Sequence, residues 1–376
     1  MTKKNILYVP AWYPCSFFKE QASILENDYN IITLTGHIYP ITFYKAIKTF
    51  YRNKFELVQH DDYYKLEIQY ITNLRSFFIT RQIDSITAGI GNLIISIFKG
   101  KIPDVIHIQS NSEFAYFVVL WAKKNNIRVV LTEHLLFIRH GFSRLSRLKE
   151  KVYEMVDEVM CVSNYLYRNL LTSGFKIKKA SIIGNLIDES KIPNFQNVSK
   201  NGKILFVATH YHDKGLNTLL EVASLFECKK SNLYIDIIGL DDKSEYDAGV
   251  LLVDELQRRG LSHRINLKGK MSHSDLLQIY SKYSLLLSTS ISETFGLAIA
   301  ESIACGTKVV CTDSGGVRDF VNDTNGIIVS LNDIYMIVKA IETVFNNPNI
   351  EKEDVACIIN EYGSRKFINN MLKSYS

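Results

Sequence analysis

The sequence predicts an α/β protein built as two doubly wound domains joined by a short linker. Three observations carry this reading. Short apolar, β-branched runs alternate with amphipathic helical patterns along almost the whole chain, as parallel sheets covered by helices require. The alternation is interrupted by the polar stretch PNFQNVSKNG at 193–202 and then restarts. A length of 376 residues is more than one core ordinarily organises.

Taken in order, strands are expected at 4–9, 30–34, 65–71, 104–108, 128–132, 158–162 and 180–183. Each has the short β-branched or apolar run of a buried strand. Helical periodicity occupies 17–27, 85–98, 112–124 and 143–156 between them. Beyond the linker, strands are expected at 203–207, 233–238, 264–267, 284–287, 308–311 and 326–329, again with helices between. Helices at 333–345 and 365–375 close the chain. The domains would then be 1–195 and 196–361, with a C-terminal helix at 362–376 packing back on the first. No GxGxxG follows either first strand, which disfavours a dinucleotide-dependent oxidoreductase.

Hydrophobic content of 47% with 22% charge is that of a soluble globular chain. The six cysteines, Cys15, Cys161, Cys228, Cys305, Cys311 and Cys357, form no CxxC pair. They read as buried thiols of a reducing compartment. The N-terminal apolar run is too short for a signal peptide, and the longest later one, at 90–98, is too short for a membrane span. The expected location is the cytoplasm. Charge is uneven: residues 1–195 carry 25 Lys+Arg against 17 Asp+Glu, and residues 196–376 carry 19 against 22. A basic N-terminal half suits an anionic lipid surface or a phosphorylated substrate. Arg144, Arg147 and Lys151 on one helical face, Arg139, and the aromatic-basic segment at 43–55 fit contact with the inner face of a membrane. The plainer account of that face is a solvated helix surface. No nucleic-acid partner is expected.

The chemistry concentrates in one stretch at 285–321, LLLSTSISETFGLAIAESIACGTKVVCTDSGGVRDFV. A strand-like run precedes Glu293, and 295–304 has helical spacing. Glu293 then sits in the strand-to-helix loop and Glu301 about two turns into the helix; at about 100° per residue, eight positions return Glu301 to within about 80° of Glu293's direction, so both would face one ligand. A helix N-terminus beside them suits an anion. Taken alone, the pair reads more readily as two solvated helix-end carboxylates. The surrounding pattern decides otherwise. Ser290, Glu293, Phe295, Gly296, Glu301, Gly306, Gly315 and Gly316 fall in the register Ser-x-x-Glu-x-Phe-Gly, second Glu eight residues after the first, small-residue run, Gly-Gly turn. This resembles the donor-site signature of glycosyltransferase family 4, retaining enzymes of the GT-B fold. The segment ending LTEH at His134, the stretch VMCVSNYLYRNLLTSGF with IIGNLID, and the opening YVPAWYP with FFKEQASIL are similar to the family as well.

The resemblance implies two Rossmann-like domains facing across a cleft and transfer of a sugar from a nucleotide donor, UDP- or GDP-linked. The acceptor would be a glycan or a lipid-linked oligosaccharide of surface-polysaccharide assembly. Glu301 would hold the ribose hydroxyls, and Glu293 the hydroxyls of the donor sugar. Backbone N–H groups at Phe295, Gly296 and Leu297 would hold diphosphate or sugar, with Ser290 beside them. Lys214 would neutralise the leaving phosphate, and His134 would contact the sugar. Lys270 and Met271 would meet the nucleobase. No cofactor is implied, and no metal, since the chain has no Asp-x-Asp of the metal-dependent kind. The sequence departs from the family at three places. Thr209 stands where an arginine precedes the lysine, removing a bidentate phosphate clamp that Lys214 alone does not replace. Thr209 itself, or His210 or His212 after it, would compensate in part at the donor; as alternate residues the two histidines share a face, but no third metal ligand accompanies them. The N-terminal loop WYPCSFF lacks the usual glycines, and Lys308 replaces a proline. Two alternatives stay open: a GT-B chain that has lost catalysis and serves as a binding partner, and a sugar-nucleotide epimerase.

Overall fold

The polar and glycine-containing breaks of the sequence separate two parallel sheets, each covered by helices. The computed structural model describes residues 3–11, 16–41, 54–71, 76–136, 144–196, 198–208, 213–240 and 248–376. They divide into two compact units, Met1–Ile183 with Ile368–Ser376, and Gly184–Phe367. The division falls at Ile183/Gly184, upstream of the 195/196 boundary read from the sequence. The polar stretch at 193–202 belongs to the second unit because it is tied there: Lys200 Nζ donates to Gly306 O (2.8 Å) and Asn201 N to Lys282 O (2.8 Å).

In the first unit the strands are β1 (Asn5–Pro10), β2 (Asn30–Ile41), β3 (Lys54–Gln59), β4 (Tyr64–Ile71), β5 (Val105–Gln109), β6 (Arg128–Glu133), β7 (Glu158–Cys161) and β8 (Ala180–Ile182). They lie in the order β3-β4-β2-β1-β5-β6-β7-β8. All neighbours are parallel except the edge pair β3–β4. The order reverses between β1 and β5, so the crevice of this sheet opens where Pro10 and Gln109 end their strands. Between these strands run α1 (Ser16–Leu25), α2 (Ser76–Ile97), α3 (Glu113–Lys124), α4 (Arg144–Met155) and α5 (Asn164–Thr172). Helix α3 shows why the local sequence folds as it does. Ser112 caps it by accepting from Ala115 N, Glu113 opens it and Lys123 and Lys124 close it, each matched to the helix dipole. Its face from Phe114 to Trp121 is buried.

The second unit holds β9 (Ile204–Val207), β10 (Ile235–Ile238), β11 (Ile265–Leu267), β12 (Leu285–Ser288), β13 (Val309–Thr312) and β14 (Gly326–Val329). The order β11-β10-β9-β12-β13-β14 is parallel throughout and reverses between β9 and β12. Helices α6 (Leu216–Cys228), α7 (Ala248–Arg258), α8 (His273–Tyr280), α9 (Leu297–Ala304), α10 (Ile334–Asn346) and α11 (Lys352–Tyr362) follow. The core runs from Ile204 and Phe206 through Leu219, Leu285 and Leu287 to Ile341. The last helix, α12 (Ser364–Tyr375), begins in the second unit and continues into the first. There Arg128 Nε donates to Ser374 O (2.7 Å) and Tyr375 is buried.

Other differences from the sequence reading have physical causes. Strand β2 runs to Ile41, beyond the expected end at 34, because β4 pairs with it along Leu34–Ile41. Cys161, Cys305 and Cys311 are buried free thiols, but Cys228 and Cys357 are exposed, each on a helix's solvent face. Residues 43–53, Arg139 and Cys15 lie outside the described residues, as do the side chains of Arg144 and Arg147; Lys151 is exposed. Among the described residues no helix is long and apolar enough to cross a membrane.

Gly36 sits in β2 under α3. A methyl group there would meet the buried Phe114 ring at 2.5 Å, and that ring is only 2% exposed and has nowhere to move. Gly36→Ala is expected to destabilise the first unit by about 1–3 kcal/mol, read as a lower denaturant midpoint at unchanged slope.

Candidate active site

At the reversal between β9 and β12 the second unit leaves a cavity of about 140 Å³. It is lined by the strand ends Val207 and Ser288, by Lys214 and Glu293, and by the opening turn of α9 from Gly296. Loop packing puts these groups together. Gly215, in the left-handed region at φ 66°, ends the loop after β9 and starts α6. A Cβ on it would stand 1.9 Å from Thr289 O, so only glycine lets this loop reach the one after β12. Thr289 Oγ1 contacts both Lys214 O (3.0 Å) and Gly215 O (2.8 Å), and Ile291 N donates to Asp213 O (3.0 Å). The stitched loops set Lys214 Nζ 2.6 Å from Glu293 Oε1, with both side chains partly exposed.

Glu293 is held from the other side by its backbone. It forms a parallel bridge with Gly315, its N–H donating to Ser314 O (2.8 Å) and its C=O accepting from Gly316 N (2.8 Å). The Gly-Gly turn is required at its second residue, where a Cβ would meet Thr294 O at 2.4 Å. The turn is itself braced by the bidentate pair of Arg318 with Asp313, whose carboxyl is held below the usual range by that guanidinium. Ser290 is buried and works within this frame: Ser288 Oγ donates to its Oγ (3.2 Å) and Thr312 Oγ1 to its carbonyl (2.5 Å). Phe295 is 1% exposed and packs on Phe320 and Tyr362 at 5.2 and 5.1 Å. It anchors the loop and can meet a ligand only through its backbone. Gly296 at φ 95° then turns the chain into α9, whose first N–H groups have no intrahelical partners.

That left-handed glycine corrects the helical-register argument. Glu293 lies in the strand-to-helix loop, as read from the sequence, but the helix begins at Leu297, two residues later than expected, so Glu301 lies little more than one turn inside it instead of two. The two acids have separate partners. Glu301 is 6% exposed, its Oε1 2.6 Å from His273 Nε2 and its Oε2 3.5 Å from Tyr280 OH. Burial, with the Glu301 charge adding to it, raises the Tyr280 phenol well above its ordinary range, so it remains a hydrogen donor. His273 went unread because it opens a different helix, and its link to Glu301 is not visible in linear spacing. Lys270 and Met271 are both exposed, just before that helix. Thr209, His210 and His212 lie outside the described residues.

His134 belongs to the first unit, at the end of β6 beside its β1/β5 crevice. Its ring lies edge-on to Phe17 and Phe18 at 5.4 and 5.5 Å, and Nε2 is 2.7 Å from Gln109 Oε1. The preceding Glu133 is buried and fixes the loop. Its carboxyl accepts from the N–H groups of Asn111, His134 and Leu135 and from Tyr153 OH (2.8 Å), and burial still raises it. Gln109 in turn reaches His107, a fully buried imidazole. Burial first, and then the neighbouring His134, lowers His107 to about 3. Among the described residues no cluster of three or more His, Cys, Asp or Glu is arranged to hold a metal.

Two family models match this chain: "Glycosyl transferases group 1" over residues 188–363 and "Glycosyltransferase Family 4" over residues 56–191. Among curated proteins it is 27% identical over 235 residues to a phosphatidylinositol N-acetylglucosaminyltransferase subunit of Homo sapiens, covering 60% of this chain and 47% of that protein. It is 25% identical over 309 residues to an uncharacterized 41.2 kDa protein in the cps region of Klebsiella pneumoniae, covering 75% and 80%. The chain spans about half the length of the first of these and of its counterparts in plant and yeast. Among solved structures, Anabaena Alr3699/HepE in complex with UDP and glucose superposes with a TM-score of 0.69 at 15% identity, covering 99% of both chains. That likeness concerns the fold.

The His107 shift has a measurable consequence. An unfolded histidine titrates near 6.5, so below that pH the unfolded chain gains a proton that buried His107 does not. Stability that is complete above about pH 6.5 is therefore lost as pH falls toward 3. In melting curves of the full chain, the wild-type advantage over His107→Gln is expected to shrink from pH 7 to pH 4. A constant difference would contradict a neutral buried imidazole.

Proposed function

The chain belongs to glycosyltransferase family 4, with the GT-B fold, and on that premise we propose that it is a retaining enzyme that takes a hexosyl group from a UDP- or GDP-sugar without a metal. The observation that carries this reading is the Lys214–Glu293 pair, 2.6 Å apart on the wall of a cavity that the first turn of α9 also lines. A cation, a hydroxyl acceptor and unpaired helix N–H groups converge on one small space, as a phosphorylated sugar requires.

On this reading the ion pair opens when donor binds. Lys214 turns to the phosphate nearest the sugar, and the Glu293 carboxylate accepts from sugar hydroxyls. The α9 N–H groups from Gly296 and Leu297 hold the diphosphate, and Glu301, oriented by His273, takes the ribose hydroxyls. The sugar–phosphate C–O bond breaks with its electron pair moving to phosphate oxygen. The acceptor hydroxyl joins the anomeric carbon on the same face, and its proton passes to the departing phosphate. Lys214 offsets the charge that grows there. The protein positions the reactants and needs no side-chain nucleophile. His134 contacts the donor sugar.

The acceptor we infer is a lipid-linked or oligosaccharide intermediate of surface-glycan assembly. Two observations support this: one relative is encoded in a cps region, and another is named for transfer to phosphatidylinositol. Thr209, in place of the family's arginine, favours one second reading, a chain that binds donor as a partner in a glycan-assembly complex without turning it over.

Glu301→Ala is expected to raise the donor dissociation constant by about tenfold or more through loss of charged hydrogen bonds. Lys214→Ala should cost about 10²–10³ in kcat, both measured with a panel of nucleotide sugars. Near-wild-type transfer by both variants would sink the site assignment, whereas donor binding without hydrolysis or transfer by the wild type would establish the second reading. Co-sedimentation with vesicles tests the membrane contact: the basic N-terminal half predicts stronger binding to anionic than to neutral lipid, weakening with salt.

A further inference from the structure

One continuous line of hydrogen bonds in the first unit ends at His134. Tyr375 OH is 2.5 Å from His107 Nδ1. His107 Nε2 is 2.8 Å from Thr132 Oγ1 and 3.2 Å from Gln109 Nε2. Gln109 Oε1 is 2.7 Å from His134 Nε2. Tyr375, His107, Gln109 and Thr132 are each 2% exposed or less, so water does not compete for these bonds. Sequence reading singled out only the last member of the line.

Donor and acceptor rules give the line a direction. A neutral imidazole has one N–H and one lone pair. The amide nitrogen of Gln109 only donates, so His107 Nε2 carries the lone pair, which Thr132 shares as a second donor. The His107 proton is then on Nδ1 and is donated to the Tyr375 oxygen. At the other end the Gln109 carbonyl only accepts, so the hydrogen of His134 is on Nε2 and its lone pair on Nδ1. Each donor along the main line points from His134 toward Tyr375.

We propose that Tyr375 is a positioning residue which, through His107 and Gln109, fixes which ring nitrogen of His134 carries the proton. Removing the phenol oxygen leaves a buried His107 N–H facing a hydrocarbon ring edge, which is costly. The proton moves instead to Nε2, where Thr132 Oγ1 and a turned Gln109 carbonyl both accept. The turned amide now presents its NH₂ to His134 Nε2, which must supply the lone pair, so the His134 hydrogen passes to Nδ1. Each histidine keeps one proton throughout. The effect on sugar transfer rests on His134 meeting the donor, as proposed above; the tautomer itself does not.

The test uses the full chain with ¹⁵N-labelled histidine. Long-range ¹H–¹⁵N spectra read the tautomer of each ring, and His134→Asn identifies the His134 signals. Wild type is expected to show His134 protonated at Nε2, and Tyr375→Phe to show it protonated at Nδ1. A wild-type His134 already protonated at Nδ1, or a pattern unchanged in Tyr375→Phe, overturns the proposal. Gln109→Glu decides the matter if Tyr375→Phe does not fold. A carboxylate only accepts, so His107 should move its proton to Nε2 while His134 keeps its own there; an unchanged His107 overturns the relay. Transfer is measured alongside, with kcat of Tyr375→Phe expected to fall by at least about tenfold. A switched tautomer with undiminished transfer supports the relay and overturns the placing of His134 at the donor.

Discussion

The close backbone approach between Gly215 and Thr289 is the constraint on which the candidate site depends. Lys214 and Glu293 are 79 residues apart in sequence, on loops after different strands. Two long side chains on independent loops would pay rotamer entropy to meet, and a partly exposed ion pair returns little of it. Removing the Cβ at 215 lets Thr289 hold both carbonyls of the lysine turn, so the loops behave as one body. The cation and the acid then face each other by construction. Their short contact follows from the frame and does not create it.

The same logic separates the two glutamates. Each acid is matched to a cation or donor set of its own, Glu293 to Lys214 and Glu301 to His273 with Tyr280. Glu301, nearly buried, would be costly as an unpartnered charge, and His273 gives it a partner without occupying both oxygens. Two acids with independent partners can be tuned separately. A shared pair would couple their titrations.

Most of the fold was legible because parallel strands buried on both faces leave apolar runs that nothing else explains. β5, β6 and β9 through β14 fall within a residue or two of where these runs place them. Strand β3 was not legible: an edge strand with KFELVQ alternates charge and apolarity, and its pairing with β4 is a tertiary fact. Much of the frame of the candidate site was legible through one local signature, since Glu293, Gly296, Glu301 and the Gly-Gly turn are all within thirty residues of each other. Within that signature, Phe295 and Ser290 turned out to serve the frame, because a loop this tightly bent needs an anchor and a brace. His273, Gln109, His107 and Tyr375 gave no comparable signal. Apart from the contact between His107 and Gln109, two positions apart, their partners lie between 25 and 268 positions away, and an isolated histidine or tyrosine in a sequence carries no direction.

The placing of α12 has a bearing on how the chain is made. Tyr375 closes a contact with His107 across 268 residues, and Arg128 waits for Ser374 in the same way. Most of the first unit is made before the second, and domains ordinarily fold as they emerge. This one cannot complete its interior until residue 375 has left the ribosome, by which time the whole second unit has been made. Its sheet can form early from parallel pairing of β1, β2 and β5, but His107 keeps an unmatched ring nitrogen through the interval. Completion of the first unit's interior is thus tied to synthesis of the second.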